Sequence, residues 1–266
     1  MANAEIPKIL NWLATNRLTL NVKKTHFVIF RNPGKAVNLT KTLYIDNTPI
    51  EQAPYTKFLG VYLDEKLDWA KHIDVIKGKV ARGVGILTRA RPFLDKSIMK
   101  TLYYSFVYPY FLYNIEAWGS THKKYLEPLF RIQKRAVRVI AGVPRNSPSK
   151  MCFESLKILK LEELHHMSIQ SFMYKWYHNK LPSIFDDFFK RVTHHHATRL
   201  MHSVTILLER PNDLSSGLGM RSIRYRGVLC HNHFSKYVSY NSSIHTYKQH
   251  LKRYLLENAV DLLPYS

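Results

Sequence analysis

The sequence predicts an α+β chain: an N-terminal helix with a small antiparallel sheet, followed by a mainly α-helical body. Three observations carry this. Apolar residues recur at helical spacing near the start, at Ile6, Ile9, Leu10 and Leu13. Three short runs rich in β-branched and aromatic residues follow, bounded by turn residues. From Asp68 onward the apolar period is 3.6 rather than 2, and it stays so through most of the remaining chain.

Taken in order, the first helix covers about 3–16. The β-type runs are Thr25–Phe30, Thr42–Ile45 and Lys57–Leu63, with Asn-Pro-Gly at 32–34 and Asn47-Thr48-Pro49 read as turns. Asp68 suits a helix N-cap, and the helix it opens has the apolar seam Ile73, Ile76, Val80, Val84 and Leu87. Gly78, Gly83 and Gly85 weaken that helix or admit a close neighbour. Asp95 or Ser97 opens the next, which runs into the aromatic stretch Tyr103–Tyr113, read here as core rather than as a base-stacking surface. A third helix over about 123–141 stops at Gly142-Val143-Pro144. Arg145–Lys150 reads as a linker. Helices near 150–159 and 161–179, an irregular polar region and a final helix near 243–257 complete the chain.

Charge narrows the function classes. Lys plus Arg number 40 against 19 for Asp plus Glu, a net +21, in a chain that is 45% hydrophobic and therefore able to bury a core. Residues 1–150 hold 25 basic and 10 acidic residues, so the cationic excess is concentrated there. Such a field attracts polyanions. Two cysteines, Cys152 and Cys230, exclude a disulfide scaffold and point to a reducing compartment. The opening MANAEIPKIL lacks signal-peptide character, and the longest uncharged run, between Lys100 and Glu116, is too short to span a membrane. A nuclear or cytoplasmic protein, not secreted and with no membrane partner, is expected.

The helix at 123–141 is the sharpest candidate interface. At 100° per residue Arg131, Lys134, Arg135 and Arg138 fall within about a 100° arc, with Leu129, Ile132, Ala136, Val139 and Ile140 opposite. One face packs while the other offers four cations to phosphate. Lys71, Lys77, Lys79, Arg82 and Arg89 extend the pattern on an earlier helix. Asp186-Asp187 is the one Asp-Asp pair, but Leu181-Pro182-Ser183 and the surrounding Ile184, Phe185, Phe188 and Phe189 make a packing segment, not a two-metal turn. His194–His196, Cys230, His231 and His233 lack zinc-site spacing. No metal ligand set is expected.

Four groups of residues, in order along the chain, resemble the reverse transcriptases of non-LTR (LINE-type, jockey-like) retrotransposons. NWLATNRLTLNVKKT, from Asn11 to Thr25, resembles a palm segment. KFLGVYLD, from Lys57 to Asp64, with Leu67, Trp69 and His72, resembles the passage from primer grip to thumb. YPYFLYNIEAWG (108–119) and QKRAVR (133–138) resemble the helices beyond the palm. Gly219–Gly227, followed by Lys248 to Leu256, resembles the C-terminal tail, with Leu229-Cys230-His231-Asn232 where the tail usually has Leu-Trp-Asn.

The resemblance implies four regions: 1–64 as the end of the palm, 65–144 as a thumb-like helical region, 145–150 as a linker, and 151–266 as the element's C-terminal region. It implies that Lys24 protonates pyrophosphate in the parent enzyme, and that Phe58, Leu59 and Gly60 match the primer grip. It also implies Mg²⁺ as the parent enzyme's cofactor, and RNA and RNA–DNA duplex as partners. The Tyr/Phe-Ala-Asp-Asp motif that the family uses to hold metal does not occur in this sequence. The expectation is a nucleic-acid-binding remnant that does not polymerise by itself. Two alternatives stay open: part of an active polymerase whose catalytic palm lies upstream, and a non-enzymatic protein-interaction module.

Overall fold

The structure, a computed structural model, describes residues 2–31, 42–192, 207–212 and 217–258. The expected turn at 32–34 and the histidine run 194–196 lie outside these. The fold is α+β with a helical body, and it divides into two compact units, 1–72 and 73–266.

The first unit opens with α1 (Ala2–Thr15), followed by a 3₁₀ turn, Val22–Lys24. A three-stranded sheet has the order β1 (His26–Phe27), β3 (Thr48–Gln52), β2 (Leu43–Ile45). The β2–β3 ladder is antiparallel, with Leu43 opposite Ile50, whereas β1 joins β3 in parallel. The β2–β3 turn is Asp46-Asn47, both at positive φ (46° and 62°), a two-residue geometry that matches strand twist. Thr48 and Pro49, expected in the turn, are instead the first residues of β3.

The run KFLGVYL is not one strand. It folds back as an antiparallel hairpin, β4 (Tyr55–Phe58) and β5 (Val61–Asp64), about Leu59 (φ 45°) and Gly60 (φ 84°). The expected strand Thr25–Phe30 shortens to β1 for want of a longer partner. The unit's buried apolar residues are Ile45, Ile50 and Val61, with His72 beside them in burial.

The hairpin's exit is built by the residues of the K-F-L-G-V-x-L-D…W…H pattern. Asp64 Oδ1 accepts from the Asp68 amide at 3.0 Å, and Asp68 Oδ1 accepts from the Ala70 amide at 3.1 Å, which starts the next helix. The Tyr62 amide donates to His72 Nδ1 at 3.4 Å. Burial raises the Asp64 carboxyl above the ordinary range.

That helix is α2 (Ala70–Ala90), and the unit boundary falls in its first turn. All five seam residues, Ile73, Ile76, Val80, Val84 and Leu87, are buried. Of its three glycines, Gly83 is the one with a close neighbour: a Cβ there would meet the Phe106 carbonyl oxygen at 2.4 Å. Then come α3 (Lys96–Phe106), α4 (Tyr108–Leu112) and α5 (Ile115–Trp118). Asp95 is the α3 cap, accepting from the Ser97 and Ile98 amides. Tyr103, Val107, Phe111 and Ile115 form the buried stripe of this segment, whereas Phe106, Tyr110 and Tyr113 are exposed.

α6 (Lys123–Ala141) ends at Gly142 in the left-handed region (φ 72°), as its Gly-Val-Pro stop implies. α7 (Ser149–Leu156) and α8 (Leu161–Tyr177) follow, so residues 145–150 lie inside the second unit. The region expected to be irregular contains α9 (Gly217–Arg221) and α10 (Ile223–Phe234), and α11 (Ile244–Glu257) ends the described chain. α10 packs on α8 with Val228, Cys230 and Phe234 buried, and α11 adds Tyr247, Leu251 and Leu255. Among the described residues no helix is long and apolar enough to cross a membrane.

Candidate nucleic-acid interface

α6 is two-faced because its sequence is. Leu129, Gln133, Ala136, Val137 and Ile140 are buried, a face turned slightly from the expected one, with Ile132 and Val139 only half-buried at its margin. Gln133 explains the turn. It is the hub of the packing: its Nε2 donates to Tyr103 Oη (3.1 Å) and the Leu159 carbonyl (3.0 Å), and its Oε1 accepts from the Leu161 amide (2.9 Å). Three elements are joined through one amide, and every one of those groups would otherwise be a buried polar atom without a partner.

The opposite face carries the cations. Arg131, Lys134, Arg135 and Arg138 line a groove of about 430 Å³ with Ile132 and a fifth cation, Arg145. Arg145 stands in the turn after α6, placed there by Arg138, whose Nε donates to the Ser147 carbonyl at 2.7 Å. Sequence periodicity misses Arg145 because it lies beyond the helix; the nearest signal was the polar run that contains it. Glu127 is the acid nearest these cations, at 3.4 Å from Arg131 and 3.5 Å from Lys134. At that length, and with Arg131 71% exposed, these are weak surface pairs that a phosphate can displace. Lys134 Nζ also stands 4.4 Å from the centre of the Phe130 ring.

The α2 cations do not join this groove. Lys77 pairs with Asp74 at 2.6 Å, Lys79 stands over the Tyr110 ring at 5.5 Å and Lys71 over the Tyr55 ring at 5.0 Å. Arg82 and Arg89 are exposed. In the first unit Lys24 ends the 3₁₀ turn and lines a hollow of about 590 Å³ with Lys23, His26 and Glu51. Phe58 and Leu59 protrude at the hairpin tip, 62% and 72% exposed, and Gly60 completes its turn.

Asp186 and Asp187 are both exposed in a 3₁₀ segment, Ser183–Phe188, beside Phe185 and Phe188, which pack on each other. Among the described residues no three His, Cys, Asp or Glu side chains converge on a point that could hold an ion. Cys230 and His231 are core groups. The His166 Nδ1 and Cys230 Sγ lie 3.4 Å apart, and His231 Nδ1 lies 3.0 Å from Tyr240 Oη. His233 packs on Phe234 and Tyr237. Burial pushes the Cys230 thiol up to about 12 and the His166 imidazole down to about 3, so at neutral pH a protonated thiol lies beside a neutral imidazole.

Several residues that carried the family resemblance serve the fold. Trp118 is fully buried and its Nε1 donates to the Tyr113 carbonyl at 2.8 Å. Gly227 faces Met173 and Phe189 too closely for a Cβ. Asn232 bonds both the amide and the carbonyl of Leu208, at 2.9 and 2.8 Å.

Comparison with known proteins finds the similarity that the sequence motifs imply, to RNA-directed DNA polymerases of LINE-type mobile elements. In Drosophila melanogaster it is similar to the RNA-directed DNA polymerase from mobile element jockey, 26% identical over 171 residues, which are 61% of this chain and 18% of that polymerase. The probable RNA-directed DNA polymerases from transposon X-element and transposon BS are 27% identical over 135 residues and 28% over 148. Those matches cover 49% and 50% of this chain and 14% and 16% of the relatives. The chain thus matches less than a fifth of each relative's length. No protein-family model matches it. No solved structure matches it.

Proposed function

We propose that this chain is a nucleic-acid-holding portion of a mobile-element RNA-directed DNA polymerase, which grips the phosphate backbone of RNA and RNA–DNA duplex on α6 and does not polymerise by itself. The observation that carries the reading is the groove of five cations on α6 and its following turn, where among the described residues Glu127 is the carboxylate paired with them, at 3.4 and 3.5 Å. Phosphate contacts of this kind give affinity without sequence preference. The lack of polymerisation rests on the sequence, whose one Asp-Asp pair is set on an exposed 3₁₀ segment among packing phenylalanines. In this reading Lys24 and the Phe58-Leu59-Gly60 tip serve the parent enzyme, and Mg²⁺ belongs to residues outside this set.

The test is fluorescence anisotropy of a labelled mixed-sequence duplex across a salt series. Wild type should bind with a steep salt dependence. The pair Arg131→Gln with Arg135→Gln should flatten the slope by roughly 0.7 to 0.9 per contact removed and weaken all sequences alike. An unchanged slope would sink the α6 assignment. Primer extension above background on poly(A) with Mg²⁺ would sink the inactivity.

A further inference from the structure

The α6 groove shares a wall with a cavity. Phe130 lines a cavity of about 450 Å³ formed by α5, α6 and α8, and Lys134, whose Nζ stands over the same ring, lines the groove. Glu127 also borders both, since it lines the cavity and reaches Arg131 and Lys134. Glu127, Phe130, Arg131 and Lys134 lie within two turns of α6, so groove and cavity adjoin along one helix.

The cavity has the size and make-up of a small-molecule site. Its apolar wall is Ile115, Leu126, Phe130 and Leu161, and charged side chains make up much of the rest. Its charged groups divide into engaged and free. Lys160 is engaged, bonding Glu163 through both its Nζ (2.7 Å) and its amide (2.8 Å). Lys123 and Glu162 make no hydrogen bond or ion pair with other described residues. Both residues are solvent-exposed, so one carboxylate and one ammonium without a hydrogen-bond partner border the cavity. Burial raises the Glu162 carboxyl, and the Glu163 charge adds to that, while the charges of Lys123, Lys160 and Arg226 oppose it.

Among the bases, guanine fits this pair. Its N1–H and N2–H₂ are adjacent donors that one carboxylate accepts together, and its O6 is an acceptor for an ammonium. Adenine would turn a ring-nitrogen lone pair toward the carboxylate, and uracil offers one N–H between two carbonyls. Specific recognition of RNA rests on unstacked bases read at such edges.

We propose that this cavity takes an unpaired guanine of the strand held on α6, with Glu162 accepting from N1–H and N2–H, Lys123 donating to O6 and Phe130 as an apolar wall. The inference rests on the nucleic-acid reading of α6, and it adds a base preference that phosphate contacts alone do not give.

Calorimetric titration of the full chain with GMP, IMP and AMP tests it, because IMP differs from GMP only in lacking the N2 amine. GMP should bind roughly tenfold tighter than IMP or AMP, the scale of one bidentate base contact. Glu162→Gln should bring GMP and IMP within about twofold of each other, and Lys123→Ala should weaken both. Arg131→Gln with Arg135→Gln should lower affinity for all three nucleotides and keep the GMP-to-IMP ratio. Failure of the groove alone thus shows as an unchanged salt slope with a surviving ratio. Equal binding of GMP and IMP, no GMP binding, or a ratio that survives Glu162→Gln would overturn the cavity assignment.

Discussion

Arg138 donates its Nε to the Ser147 carbonyl at 2.7 Å, and that bond holds the turn carrying Arg145 beside the α6 cations. Arg138 therefore acts on the groove twice, as a cation and as a clamp. Arg138→Lys keeps the charge and loses the planar fork that reaches the carbonyl. We expect Arg145→Ala to flatten the salt dependence of duplex binding by roughly 0.7 to 0.9, one phosphate contact. Arg138→Lys should have a comparable effect through the displaced turn. If Arg138→Lys left the slope at its wild-type value while Arg145→Ala lowered it, the clamp would be irrelevant to binding.

Gln133 is the residue on which the second unit's packing most visibly depends. Gln133→Leu is close in size, but it strips partners from Tyr103 Oη, the Leu159 carbonyl and the Leu161 amide. Each buried group left unsatisfied costs about 1–3 kcal/mol, so a loss of about 3 kcal/mol or more is expected. Urea unfolding followed by circular dichroism reads this directly. Gln133→Glu should be worse, because the same site would hold an acceptor where Nε2 now donates twice. A loss below about 1 kcal/mol for Gln133→Leu would mean that water replaces the amide.

What the sequence revealed divides by the kind of signal. The α2 seam from Ile73 to Leu87 and the two faces of α6 were legible because a 3.6-residue period survives any tertiary context. The hairpin about Leu59-Gly60 was not, since a leucine in the left-handed region gives no turn signal of the Asn-Gly kind. α10 was hidden because its buried residues include Arg226 and His231, so its core face does not read as apolar. The candidate site was legible as four cations. Arg145 and the cavity lined by Phe130 and Glu162 were not, because both depend on contacts between segments distant in sequence: Arg138 with Ser147, and α6 with α8.

The α8–α10 core sets an acid limit on stability. His165 and His166 are both buried, and burial, helped by neighbouring positive charge, lowers His166 to about 3 and His165 well below the ordinary value near 6.5. The unfolded chain binds these two protons below pH ~6.5 and the native chain does not. Stability therefore rises with pH through that window and is lost as pH falls. His166 alone costs about 2 kcal/mol at pH 5 relative to pH 7.5, at about 1.4 kcal/mol per pH unit below its ordinary value, and His165 adds to it in the same direction. Urea midpoints at the two pH values should show it. His166→Gln should remove about 2 kcal/mol of the difference, and an undiminished difference in that variant would assign the acid sensitivity to other groups.

The two units should differ sharply in autonomy. Among the described residues of 1–72 the buried aliphatic side chains are Ile45, Ile50 and Val61, and none of the described α1 side chains is buried. Ile9, Trp12, Leu18, Phe58 and Leu59 are all more than half exposed. The strands here are short, and a two-stranded hairpin is marginal alone. In 73–266, α2, α6, α8, α10 and α11 bury a continuous series from Ile73 to Leu255. Expressed separately, 73–266 should melt cooperatively and keep the salt-dependent duplex binding. Residues 1–72 alone should give no cooperative transition, and the exposed edge of β1 or β2 should favour association. A dispersed, monomeric amide spectrum with a sharp melt from 1–72 would show that its small core suffices, and the exposed face of α1 would then need no covering partner.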